Sequence, residues 1–130
     1  MKTKLIYLLM MGIFCLGCQD DDILMSKPGE PVDPVSNLEY TLEEQEVTLA
    51  WDLPSSYPAD VVQPVMVHIS ISINGQNAGT QVLDNDPVSF AYPYDPENTY
   101  KFIVKVLADI ETSDEFESDI RYSLGNTVNF

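Results

Sequence analysis

Basic residues are scarce in this chain. Its 130 residues include 6 Lys and Arg against 21 Asp and Glu, a formal net charge of −15 and a pI near 4.1. Nucleic acid is excluded as a partner, because phosphate binding needs a basic surface. Histidine occurs once, at His68, and both cysteines, Cys15 and Cys18, lie at the extreme N-terminus. One His and no Cys in the body of the chain cannot build a usual zinc site. There is no glycine-rich phosphate loop, no paired-carboxylate motif, no internal repeat and no apolar run of the roughly 20 residues needed to cross a bilayer. With 45% hydrophobic residues the chain is nonetheless too apolar for a disordered acidic tail. Its length allows one domain, and its 9 prolines and 10% aromatics favour strands and turns over helices.

The first 18 residues, MKTKLIYLLMMGIFCLGC, place Lys2 and Lys4 before an apolar stretch from Leu5 to Leu16. That stretch has the length and flanks of a signal-peptide core. It closes on Leu16-Gly17-Cys18, and a small residue directly before a Cys at this point resembles the bacterial lipoprotein box. Cys15 and Leu16 depart from that pattern, standing where Leu and a small residue are usual. The resemblance implies cleavage of residues 1–17 and lipidation of Cys18, which becomes the membrane anchor. Cleavage would remove Lys2 and Lys4 and no acid, leaving 4 basic against 21 acidic residues, about −17. Such a field keeps a domain soluble and monomeric. With its remaining thiol acylated, the domain forms no disulfide and is held by its core alone.

Gln19 is followed by Asp20-Asp21-Asp22, and an acidic run just after the lipidated Cys resembles the surface-export tag of Bacteroidetes lipoproteins. The resemblance implies an outer-membrane lipoprotein exposed on the cell surface. Over residues 19–34, Pro28, Pro31 and Pro34 with Gly29 argue against a helix and favour extended backbone. Residues 18–34 are therefore expected to form an acidic, proline-rich tether with a reach of about 50 Å.

From Val35 to Phe130 the pattern alternates with period two. Strands are expected at Val35–Thr41, Val47–Trp51, Val65–Ile73, Gln76–Leu83, Val88–Tyr92 and Tyr100–Ala108. The last strand begins at Ile120–Leu124, with Ile120, Tyr122 and Leu124 in phase and Gly125 as a bulge before Val128 and Phe130. Asn74-Gly75 is a strong hairpin signal, since both positions accept positive φ. The strand after it is polar, as suits an edge. Residues 55–63 and 109–119 are expected as loops. About seven antiparallel strands without helices predict an all-β, two-sheet sandwich.

Val47-x-Leu49-x-Trp51-Asp52-x-Pro54, the run Tyr94-x-Pro96-x-x-x-Tyr100-x-Phe102-x-Val104-x-Val106-x-Ala108, and Glu117-Ser118 near the last strand together resemble the fibronectin type III and immunoglobulin-like domains. The resemblance implies a buried Trp51 and a tyrosine corner in which the Tyr100 hydroxyl is tied back to backbone. Tyr94 stands where that family usually has Leu. The fold serves binding, spacing and structural roles alike.

Candidate sites are few. His68 shares its strand phase with Ser70 and Ser72, at about 7 Å per two-residue step, with no orienting carboxylate in view. It reads as a solvent-facing strand histidine, and no catalytic residue or cofactor is expected. The acids suit calcium better than other metals; Asp84, Asp86, Asp109, Glu111 and Asp114 lie in loops or at strand ends that a type III topology brings to one end of the sandwich. A solvated acidic rim is the simpler reading. In the loops at the same end, Tyr57 and Phe116 are candidate aromatic platforms for a glycan. The expected function is a membrane-anchored extracytoplasmic binding or adhesion module with a protein or glycan ligand. An accessory glycan-binding lipoprotein of a carbohydrate-uptake system and a structural spacer are the alternatives.

Overall fold

The computed structural model describes residues 30–112 and 118–130. These residues form eight strands: β1 (Ser36–Leu42), β2 (Glu46–Asp52), β3 (Val61–Ile73), β4 (Gln76–Leu83), β5 (Ser89–Pro93), β6 (Tyr100–Ile110), β7 (Ile120–Tyr122) and β8 (Asn126–Asn129). A three-stranded sheet has the order β1-β2-β5. A five-stranded sheet has the order β4-β3-β6-β7, with β8 also on β6. Every pairing is antiparallel. The architecture is the expected all-β sandwich of two antiparallel sheets, not closed into a barrel.

The period-two residues meet between the sheets. Val47, Leu49 and Trp51 of β2 are buried with Val65, Val67, Ile69 and Ile71 of β3 and Phe102, Val104, Val106 and Ala108 of β6. Alternation delivers this core because successive side chains of a strand point to opposite faces. Val32 is buried as well, so the core takes one side chain from the expected tether. Burying a Val, Leu, Ile or Phe side chain stabilises by about 1.5–3 kcal/mol before chain entropy is counted.

Three local features differ from expectation. First, β3 starts at Val61 rather than Val65 and passes through an irregularity between Val62 and Met66. Pro64, preceded by a cis peptide bond, sits inside that irregularity, where its missing N–H breaks no regular ladder. Second, the last strand is divided: β7 pairs with Leu107–Asp109 and β8 with Lys101–Val104. Ser123 bridges the break. Its hydroxyl accepts from Val106 N–H (2.8 Å) and donates to the Leu124 carbonyl (2.8 Å), while its own N–H donates to the Val106 carbonyl (2.9 Å). Gly125 is required by close approach, since a Cβ there would lie 2.6 Å from Ile103 Cγ2. Third, His68 is half-buried rather than solvent-facing.

Other expectations hold. Asn74 and Gly75 both have positive φ (54° and 78°), as a two-residue hairpin requires. The Asn74 side chain also pins the 95–99 loop: its Oδ1 accepts from Thr99 N–H at 2.9 Å and its Nδ2 donates to Asn98 Oδ1 at 2.9 Å. The Tyr100 hydroxyl accepts from Asp95 N–H at 2.9 Å, which is the tyrosine corner. Trp51 is buried, and its Nε1 donates to the Pro87 carbonyl at 2.9 Å. At the hairpin end Phe130 stacks on Tyr40 at 4.5 Å and packs against Tyr94 at 6.1 Å. The edge strand β4, QNAGTQVL, has no charged side chain and no proline, and all of it but Leu83 is exposed.

Candidate functional site

In the described part of the loops expected to bind a ligand, several side chains make structural contacts. Asp86 Oδ1 accepts from Val65 N–H at 2.9 Å, and Asp86 N–H donates to the Val65 carbonyl at 3.0 Å. Asn85 and Asp86 hold left-handed φ values of 72° and 51°, a conformation that Asn and Asp tolerate better than other side chains. Tyr57 is half-buried against the core, and burial, with the Asp86 charge nearby, pushes its hydroxyl pKa above 10.0. Asp60 and Arg121 form a two-point ion pair, Nη1–Oδ1 at 3.0 Å and Nη2–Oδ2 at 2.8 Å. Arg121 Nη1 also donates to the Glu30 carbonyl at 2.9 Å. The hydrogen bond from Arg121, with its charge, holds the Asp60 carboxyl below the usual range. This cluster fastens the arriving N-terminal chain to the β2–β3 loop and to β7.

Among the described residues no three His, Cys, Asp or Glu side chains come together in a metal-binding group, so Asp84, Asp86, Asp109 and Glu111 do not form one. Asp114, Phe116 and Glu117 lie outside the described residues, as do Cys18 and the Asp20–Asp22 run. The Tyr57–Phe116 pair is therefore represented by Tyr57 alone.

A different surface gathers the uncommon chemistry of the chain. Residues facing one another across paired antiparallel strands share a face of the sheet. The registers thus define rows across the outer face of the five-stranded sheet. Val62, Asp109 and Ile120 form the first row, at the loop end. Met66, Leu107 and Tyr122 form the next. Val82, His68 and Lys105 follow. Thr80, Ser70, Ile103 and Thr127 come after them, then Ser72, Lys101 and Asn129. Both lysines of the described residues stand on this face, in a domain otherwise dominated by carboxylates.

Large apolar side chains are exposed there too: Ile120 at 44%, Tyr122 at 51% and Val82 at 48%, with Leu124 beside them at 80%. Leu107 points outward and is still buried, at 6%. The rings of His68 and Tyr122 meet edge to face, 5.6 Å apart and at 89°, across β6. His68 Nδ1 is buried without a hydrogen-bond partner, which is unusual for a buried polar atom in a native fold.

Part of this face was visible in the sequence, since His68, Lys101 and Lys105 occupy outward phases of their strands. Met66 shares the outward phase of His68 in the sequence, whereas Tyr122 and Leu107 were missed. The phase of Ile120, Tyr122 and Leu124 was evident, but which face that phase occupies depends on register with β6.

The fold and this surface define an antiparallel β-sandwich with an apolar, lysine-bearing outer sheet face. A family model described as a domain of unknown function, DUF4945, matches residues 18–130, and the chain belongs to that family. No curated protein matches it.

Proposed function

We propose that the chain is a non-catalytic, membrane-anchored extracytoplasmic lipoprotein of the Bacteroidetes type. Its sandwich domain binds a macromolecular partner through the outer face of the five-stranded sheet. The observation that carries the reading is the gathering of Lys101, Lys105, exposed Ile120, Tyr122 and Val82, and the unpartnered His68 Nδ1 on one face. An exposed apolar patch with a polar rim is the usual form of an interaction surface. The anchor is supported by the lipobox-like Leu16-Gly17-Cys18 and by a family match that begins at Cys18.

The test has two parts. Mass spectrometry of the membrane-extracted protein should find the chain starting at a lipid-bearing Cys18; an unmodified Cys18 overturns the anchor. Glycan-array and pull-down binding of the extracted protein should fall in Lys101→Glu/Lys105→Glu. Binding that survives that change, yet is lost in Tyr57→Ala, returns the site to the loop end.

A further inference from the structure

Most strands at the edges of the two sheets are blunted in familiar ways: by shortness, by a charge, by a proline or by a neighbour that covers them. β1 carries Glu39 and packs beside β8. β5 is short and ends at Pro93. β7 has 3 residues, one of them Arg121, and β8 has 4. β4 is the exception. It is the longest edge strand, at 8 residues, and it carries neither charge nor proline in a chain with 21 acids.

β4 also stands apart from the sandwich. It contacts β3 and no other strand. On β3, Ile69 and Ile71 are buried, yet their partners on β4, Gln81 and Gly79, are exposed. The three-stranded sheet therefore covers β3 and leaves β4 open on both faces and along its free edge. A register shift interrupts the pairing near Ala78, but residues 79–83 keep step with residues 67–71. That stretch is about 17 Å long, enough for an added strand of ordinary length.

Along the free edge, backbone N–H and C=O groups of alternate residues point away from β3. Hydrogen bonds to them supply affinity, and side chains select the partner. Selection here is by charge. A second copy brings another domain of formal charge −15, and mutual repulsion opposes the pair. A basic segment is drawn in by the same field, meets no charge on β4 itself, and finds exposed Asp84 directly beyond Leu83. On the outer face Val82, at 48% exposure, and Thr80 suit β-branched cross-strand neighbours.

We infer that the free edge of β4 accepts an extended, basic segment of a partner protein as an added antiparallel strand along residues 79–83, with a Lys or Arg of that segment beside Asp84. The inference goes beyond the reading of the outer face. The lysines of that face lie on β6, with β3 between them and β4, and of the residues that carry the reading only Val82 belongs to both surfaces.

The test is amide hydrogen exchange on the full chain in detergent micelles, with a synthetic peptide of alternating threonine and valine ended by lysines. At about ten times its Kd, the peptide should slow exchange at alternate residues of the 79–83 stretch about tenfold. No slowing up to about 5 mM peptide, enough to reveal a Kd of about 1 mM, overturns the inference. Methylating alternate peptide nitrogens removes backbone donors and should abolish the effect; equal slowing overturns strand addition. Exchanging the peptide's lysines for glutamates should weaken binding about tenfold, and equal binding overturns the basic partner. Thr80→Lys, at an exposed position, should weaken binding of the lysine peptide while the melting temperature stays unchanged. Lys101→Glu/Lys105→Glu should leave peptide binding in place, so failure here and failure of the outer-face reading are separate results. Slowing at β4 that grows with protein concentration in the absence of peptide assigns the edge to a second copy and overturns the inference.

Discussion

The orphaned nitrogen of His68 sets stability against the proposed recognition at a single residue. A buried acceptor or donor without a partner costs about 1–3 kcal/mol relative to a satisfied one. His68→Phe keeps an aromatic ring facing Tyr122 and removes the orphan atom. The variant is expected to melt higher than the wild type and to bind its partner less well. Thermal denaturation and the binding assay together check this, and unchanged binding would remove His68 from the interface.

Tyr100 gives the opposite case. Its hydroxyl satisfies Asp95 N–H at 2.9 Å, so Tyr100→Phe should cost about 1–2 kcal/mol in denaturant unfolding with the fold retained. Tyr57 adds a titration. Burial and Asp86 favour its neutral hydroxyl in the fold. Its stabilising effect is therefore complete below pH 10 and is lost as the pH rises through its elevated folded pKa. Asp86→Asn keeps the acceptor for Val65 N–H and removes the charge, so the Tyr57 pKa should fall part of the way toward 10.0, measured by NMR titration.

At the scale of the element, the break between β7 and β8 concentrates dependence on two residues. Ser123→Ala leaves Val106 N–H without its partner in a buried site and should destabilise by about 1–3 kcal/mol. Gly125→Ala places a Cβ 2.6 Å from Ile103 Cγ2, a clash expected to cost about 1–3 kcal/mol. Shortening Ile103 to Ala in the same chain should recover much of that loss, a coupling that a double-mutant cycle measures directly.

Neither dependence is legible from alternation. The period-two pattern located the core strands because Val47, Leu49, Trp51 and the odd-numbered residues of Val65–Ile73 each keep one face. It could not see Ser123, because the bridging of a strand break by a hydroxyl leaves no periodic trace. Residues 61–63 fall in the expected 55–63 loop, yet β3 already starts at Val61, with Pro64 held inside the irregularity at Val62–Met66. The candidate site was legible in its lysines and histidine, which sit within long alternating strands. Its apolar rows were not, because they are assembled from three strands whose mutual register the sequence does not state.

For the whole molecule, acid is the condition that matters most. The Asp60 carboxyl is held below its ordinary pKa of 3.8 by Arg121, so its contribution is complete above about pH 4 and is lost as the pH falls through the lower folded value. Asp60→Asn should flatten the acid side of a plot of melting temperature against pH and leave the neutral-to-alkaline side parallel to the wild type. The same ion pair is the fastening point of the N-terminal chain, through the Glu30 carbonyl. Its loss should also increase amide exchange at Val32 and Val35 before the rest of the core.

The uncharged edge of β4 then acquires a colloidal meaning. Natural sheet edges are usually guarded by a lysine, a proline or a pronounced bulge, and Gln76–Leu83 has only the one-residue register shift at Ala78, beside Gly79, where φ is 117°. At neutral pH the guard is not local: mutual repulsion between domains carrying a charge near −15 keeps such edges apart. Close to the isoelectric point of about 4.1 that repulsion vanishes and the edge becomes a free template for strand pairing. Light scattering should therefore rise steeply near pH 4. A lysine placed on the strand itself, Thr80→Lys, should suppress it where an added lysine at exposed Glu43 does not, even though Glu43→Lys changes the net charge by more.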